Sequence, residues 1–126
     1  MSYWIVFIGA GLGGMLRHAV NLAGMRLGWT GFPAATLTVN VAGSLAMGLI
    51  AGTFALRADL PQAARLFLTT GVLGGFTTFS AFSLDTALLW ERGRPGLACL
   101  YVASSVALAL AGLFAGLALA RALSRV

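Results

Sequence analysis

The sequence predicts an all-α integral membrane protein with four transmembrane helices, and three observations carry that prediction. Hydrophobic residues make up 60% of the 126 positions and charged residues only 9%, whereas a soluble domain carries about 25% charge. Mean hydropathy is +0.95. The apolar residues fall into four runs, each near the ~20 residues that a spanning helix requires. Only short segments rich in Gly, Pro and charge separate the runs, so residues 1–126 read as a single four-helix domain without a soluble part.

The first run covers about Trp4 to Met25 and ends at Arg26, before Gly28, Gly31 and Pro33. No basic segment precedes it, so it reads as a retained span rather than a cleaved signal peptide. Arg17 and His18 lie inside it. An Arg at mid-membrane costs about 2.5–3.5 kcal/mol on insertion scales, so Arg17 should face protein or water. It is either a structural anchor or a positive charge in an anion vestibule. His18 reads as an interfacial or satisfied side chain. Gly9-Ala10-Gly11-Leu12-Gly13-Gly14 matches the GxGxxG pattern, but a dinucleotide fold would place an acid about 20 positions on. The first acid is Asp59 and no strand–helix alternation follows, so the match is a decoy.

The second run covers about residues 34–56 and closes at Arg57, Asp59 and Pro61. Within it Thr36, Asn40 and Ser44 share a helix face at i, i+4 spacing. An intramembrane Asn is either interhelical glue or a donor to an anion, and both readings remain open. The fourth run, about residues 96–120, ends at Arg121 and Arg125. Tyr101 and Ser105 share one of its faces, and Cys99 reads as a small apolar residue. GxxxG pairs at Gly9/Gly13, Gly48/Gly52 and Gly112/Gly116 favour close helix packing.

The third run, about residues 64–90, is the least ordinary. Gly71, Gly74 and Gly75 occupy three of five positions, and Thr77, Thr78, Ser80 and Ser83 follow. Glycine is a poor helix former, and a span needing only to cross lipid would not use these residues. The stretch predicts a helix broken near Gly74–Thr78, and such breaks usually mark ion sites. Carbonyls freed before the break suit a small cation, and N–H groups freed after it suit an anion. Phe79 and Phe82 stand one turn apart among the hydroxyls, and aromatic ring edges are electropositive. Asp85 could cap an entrance or pair with an Arg.

Charge bounds the remaining possibilities. The net charge of +5 comes from eight Arg scattered mostly at run ends, without the clustered patch that nucleic-acid binding needs. Arg57, Arg65, Arg121 and Arg125 fall on the side of both termini, and Arg26, Arg92 and Arg94 on the other. This near-balance leaves both a single orientation and a dual topology with an antiparallel dimer open. One His with no acid near it in sequence, and no His, Cys or carboxylate cluster, argue against an enzyme or a side-chain metal site.

Gly74-Gly75-Phe76-Thr77-Thr78-Phe79-Ser80-Ala81-Phe82, with Thr36-Leu37-Thr38-Val39-Asn40 and Gly13-Gly14-Met15-Leu16-Arg17, resembles the CrcB/Fluc fluoride channels over the whole chain. The resemblance implies a passive, fluoride-selective channel in the microbial cell (inner) membrane, built as an antiparallel, dual-topology homodimer. It implies pore roles for Asn40, Phe79, Phe82, Ser83, Tyr101 and Ser105. It also implies a structural sodium ion, not transported, on the backbone carbonyls of Gly74 and Thr77. Two positions depart from the family pattern: Asp85 stands where Glu is frequent, and Ala109 where a further hydroxyl is frequent. A small ion-coupled exporter is the alternative, with Asp85 as its only intramembrane carboxylate. A non-transporting scaffold held by Asn40 and the GxxxG pairs is a third reading.

Overall fold

The computed structural model describes all 126 residues and contains helices only. Helix α1 is Ser2–Arg26 and α2 is Ala34–Leu56. The third span runs from Gln62 to Glu91 in segments: α3 (Gln62–Leu66), a π-helical stretch (Phe67–Leu73), α4 (Gly74–Phe76) and α5 (Phe79–Glu91). Helix α6 is Pro95–Ser124. Four helices are thus long and apolar enough to cross a membrane. Only 16 of 126 residues are buried within one chain, so nearly all the apolar surface of the spans must be covered by lipid or protein.

Two helix ends set the up-and-down path. Gly28 (φ 75°) and Gly93 (φ 76°) supply the left-handed residue after α1 and α5. Behind them, Trp29 N–H donates to Gly24 O and Arg94 N–H to Leu89 O, each at least five residues back. This is the Schellman closure, which satisfies carbonyls that a helix end leaves free. Proline opens the following helices. Pro33 and Pro61 precede α2 and α3, and Pro95 is the first residue of α6, where the missing N–H costs nothing. Arg57 and Asp59 pair at 2.9 Å in the α2–α3 loop, and the guanidinium holds the carboxyl below its ordinary range. Both are exposed, so the pair is screened by solvent.

Small residues bring the helices together. Helix α2 packs along α6, and α1 along the π-helical stretch and α4. A methyl group on Gly48 would strike the Leu113 carbonyl, and one on Gly116 the Leu45 carbonyl. On α1, a methyl on Gly9 would lie 2.8 Å from Phe67 O, and one on Gly13 would strike Val72 O. Backbone-to-backbone contact of this kind is how helices associate where lipid removes the hydrophobic drive between them. The GxxxG pairs of α2 and α6 therefore face each other, while the pair of α1 faces the third span.

Candidate ion site at the third span

Between α4 and α5 the backbone of Thr77 (φ −84°, ψ 157°) and Thr78 (φ −153°, ψ 119°) is extended. Inside a membrane every peptide group freed in this way needs a partner. Asn40 of α2 supplies two bonds. Its Oδ1 accepts from Thr78 N–H at 2.8 Å, and its Nδ2 donates to Thr78 O at 3.0 Å. One side chain thereby clamps both polar groups of a single residue. Arg17 of α1 reaches the same region from the other side and donates from Nε to Gly75 O at 3.2 Å. Thr78 caps α5, its Oγ1 accepting from Ala81 N–H at 3.1 Å.

These bonds redirect the helical ladder. In a continuous helix Thr78 N–H would serve Gly74 O, and Ala81 N–H would serve Thr77 O. Those donors are engaged by Asn40 and by the Thr78 hydroxyl, so the Gly74 and Thr77 carbonyls lose their helical partners. Gly74 is also exposed, and a methyl placed there would meet only Thr69 O, at 3.6 Å. Packing within one chain therefore does not require glycine at this position.

A cavity of about 430 Å³ lies beside the clamp, lined by Asn40, Thr77, Phe79, Phe82 and Ser105 among others. Ser105 is 6% exposed, and its Oγ is a buried polar atom with no hydrogen-bond partner. Such a hydroxyl carries an unmet cost of about 1–3 kcal/mol. Asn40 retains a second Nδ2 hydrogen, since only one is used on Thr78. Phe79 and Phe82 stand with ring centroids 5.5 Å apart, and Phe79 is 79% exposed.

The other hydroxyls of the region are committed. Thr77 donates to Leu73 O at 2.8 Å, Ser83 to Phe79 O at 3.0 Å and Thr86 to Phe82 O at 2.8 Å. Their protons are spent on carbonyls one turn back, so toward any further partner these hydroxyls can only accept. Ser83 also lies apart from Asn40 and Ser105, in a second cleft of about 480 Å³ with Thr86, Trp90, Glu91 and Val102. Phe82 is the wall common to both cavities. Tyr101 lines neither. Fully buried, it packs on Phe82 at 5.2 Å and on Phe32 at 5.6 Å, and its hydroxyl donates to Asp85 Oδ2 at 3.3 Å.

The structure thus joins Asn40, Phe79, Phe82 and Ser105 at one cavity, sets Ser83 on the next, and places Tyr101 behind Phe82. Arg17 contacts backbone near α4, so its charge sits on a carbonyl. Asp85 meets Tyr101, not an Arg. Sequence reasoning missed Thr78 as the central residue of the clamp. Its signal was a hydroxyl directly before a helical segment, the usual N-cap choice. His18 is exposed on α1, and no three His, Cys, Asp or Glu residues converge. The arrangement can present weak donors and ring edges to a small anion, and backbone oxygens to a small cation.

Comparisons with known proteins identify the family. The family model described as "CrcB-like protein, Camphor Resistance (CrcB)" matches residues 4–117. A protein of Rhodopseudomonas palustris (strain BisB5) named fluoride-specific ion channel FluC is 62% identical over 124 residues, covering 98% of this chain and 100% of the relative. Fluoride-specific ion channel FluC 2 of Nitrobacter hamburgensis is 60% identical over 124 residues, with 98% and 100% covered. The FluC protein of Methylobacterium nodulans is 63% identical over 117 residues, with 93% and 94% covered. With matches of this length and identity, and four helices able to span a membrane, this chain is a multi-pass membrane protein belonging to the CrcB-like family.

Proposed function

We propose that this chain is a passive, fluoride-selective channel that exports fluoride across the cell's inner membrane. It works as an antiparallel, dual-topology homodimer with a structural sodium ion at its centre, and it is not an enzyme. The single observation that carries this reading is the cavity beside the clamp. There the unpaired Ser105 hydroxyl, the second N–H of Asn40 and the Phe79 and Phe82 rings surround one space. The relatives' names supply the ion. Fluoride is small and strongly hydrated, so a pore must replace its water with donors. Several weak donors do this without trapping the ion, which conduction requires.

The third span acts as a broken helix whose interruption is held open by Asn40 and Arg17. The proposed sodium ion fits the oxygen atoms left over: the Gly74 and Thr77 carbonyls, whose helical donors are engaged elsewhere, are hard ligands suited to a hard cation. The ion would hold two broken helices together and offset repulsion between two anion paths. A second copy also accounts for the outward face of α5. Phe79 and Ser80 are exposed there, as is Gly74, and carbonyls without helical partners are poorly suited to lipid. The four-to-three division of Arg residues accommodates insertion in both directions. A second reading, an ion-coupled exporter, draws on Asp85, a carboxylate inside the third span bonded to Tyr101.

The test is fluoride efflux from liposomes holding the purified protein, with chloride efflux measured alongside. Rapid fluoride release with little chloride release supports the channel. Equal release of both ions, or none, overturns it. A Phe82→Ile variant with unaltered fluoride flux would remove Phe82 from the path.

A further inference from the structure

Phe82 separates two cavities of opposite character. The cavity beside Asn40 offers hydrogen-bond donors, as described above. The cleft between α5 and α6 offers acceptors. Ser83 and Thr86 line it and have given their protons to the Phe79 and Phe82 carbonyls, so toward an ion they can act only as acceptors. Glu91, the last residue of α5, adds a carboxylate at the far end of the cleft beside Trp90. The chain's one ion pair is Arg57 with Asp59, so Glu91 forms no direct salt bridge, although Arg92 and Arg94 follow it in sequence. An anion reaching Phe82 along this cleft passes the Glu91 carboxylate, whose field opposes the attraction of Arg92 and Arg94 at the same end of the span.

We propose that Glu91 is an electrostatic brake at the mouth of the α5–α6 cleft, limiting the rate at which anions reach Phe82 from that end. The inference rests on the channel reading above and adds a rate-setting residue to it. Glu91 and Phe82 are nine residues apart on one helix, a rise of about 13 Å. At that range the repulsion of a unit anion by Glu91 amounts to about twofold in rate in a water-like medium and up to about tenfold at a protein surface. The effect is unscreened at about 10 mM salt, where the Debye length is about 30 Å, and is erased near 1 M, where it is about 3 Å.

The experiment compares fluoride efflux from liposomes carrying wild type, Glu91→Gln and Glu91→Lys at those two concentrations of a non-permeating salt. The expected result at low salt is a rise of about twofold or more for the Gln variant and a larger rise for the Lys variant. At high salt the three rates converge. Three equal rates at low salt, or a difference that persists unchanged at high salt, would overturn the proposal while wild-type flux leaves the channel reading standing. Absence of wild-type flux would overturn both.

Discussion

Replacing Asn40 by Ala removes both bonds of the clamp, the 2.8 Å contact from Thr78 N–H and the 3.0 Å contact to Thr78 O. The Thr78 peptide must then find other partners, in its own helix or in the cavity beside it. The obvious remedy is to close the ladder, returning Thr78 N–H to Gly74 O. Intramembrane hydrogen bonds contribute about 0.6–2 kcal/mol each, so losing two shifts the balance between interrupted and closed forms by about 1.2–4 kcal/mol. That corresponds to a change of roughly 7- to 700-fold in population. Fluoride efflux from Asn40→Ala liposomes should fall by at least about sevenfold, and the protein should also melt earlier in detergent. Asn40→Asp keeps an acceptor for Thr78 N–H but turns a negative oxygen on Thr78 O and on the permeating anion, so its flux should fall further. An Asn40→Ala variant with wild-type flux and wild-type melting would refute the argument that this side chain holds the interruption open.

Other outcomes follow from the same geometry. Ser105→Ala removes a buried hydroxyl with no partner, so the melting temperature should hold steady or rise while fluoride flux falls; reduced stability would show that the hydroxyl is satisfied in the folded protein. Arg17→Gln withdraws a charged donor from Gly75 O; bonds of this type contribute about 1.5–3 kcal/mol, and thermal unfolding should register a loss of that order, which Arg17→Lys should only partly restore. Gly48→Leu drives a side chain into the Leu113 carbonyl, so α2 and α6 should separate; size-exclusion profiles should show aggregated or unfolded protein, whereas Gly11→Leu, where the surroundings are open, should leave the profile unchanged.

The four apolar helices were legible in the sequence because length and composition are local properties, and lipid enforces them. The short connections rich in Gly, Pro and charge were visible for the same reason, although not the left-handed turns at Gly28 and Gly93. The partners of the polar residues were not. Asn40 and Thr78 are 38 positions apart, and Arg17 and Gly75 are 58 apart; no period or spacing connects them. Hydroxyls of one kind also divide in a way that residue type does not reveal. Ser83 and Ser105 are both serines one helix apart, yet one has spent its proton on a carbonyl a turn back and the other has not. The difference lies in side-chain rotamer and in what the neighbouring helix offers, which only the packed structure specifies.

The central claim is passive conduction of fluoride, and current across a planar bilayer containing the purified protein tests it most directly. With fluoride as the main anion and equal pH on both sides, the account predicts a steady current that reverses at the fluoride equilibrium potential and shrinks when chloride replaces fluoride. A fluoride movement that appears only under a proton gradient, and vanishes in Asp85→Asn, would contradict it and assign the chain to coupled export.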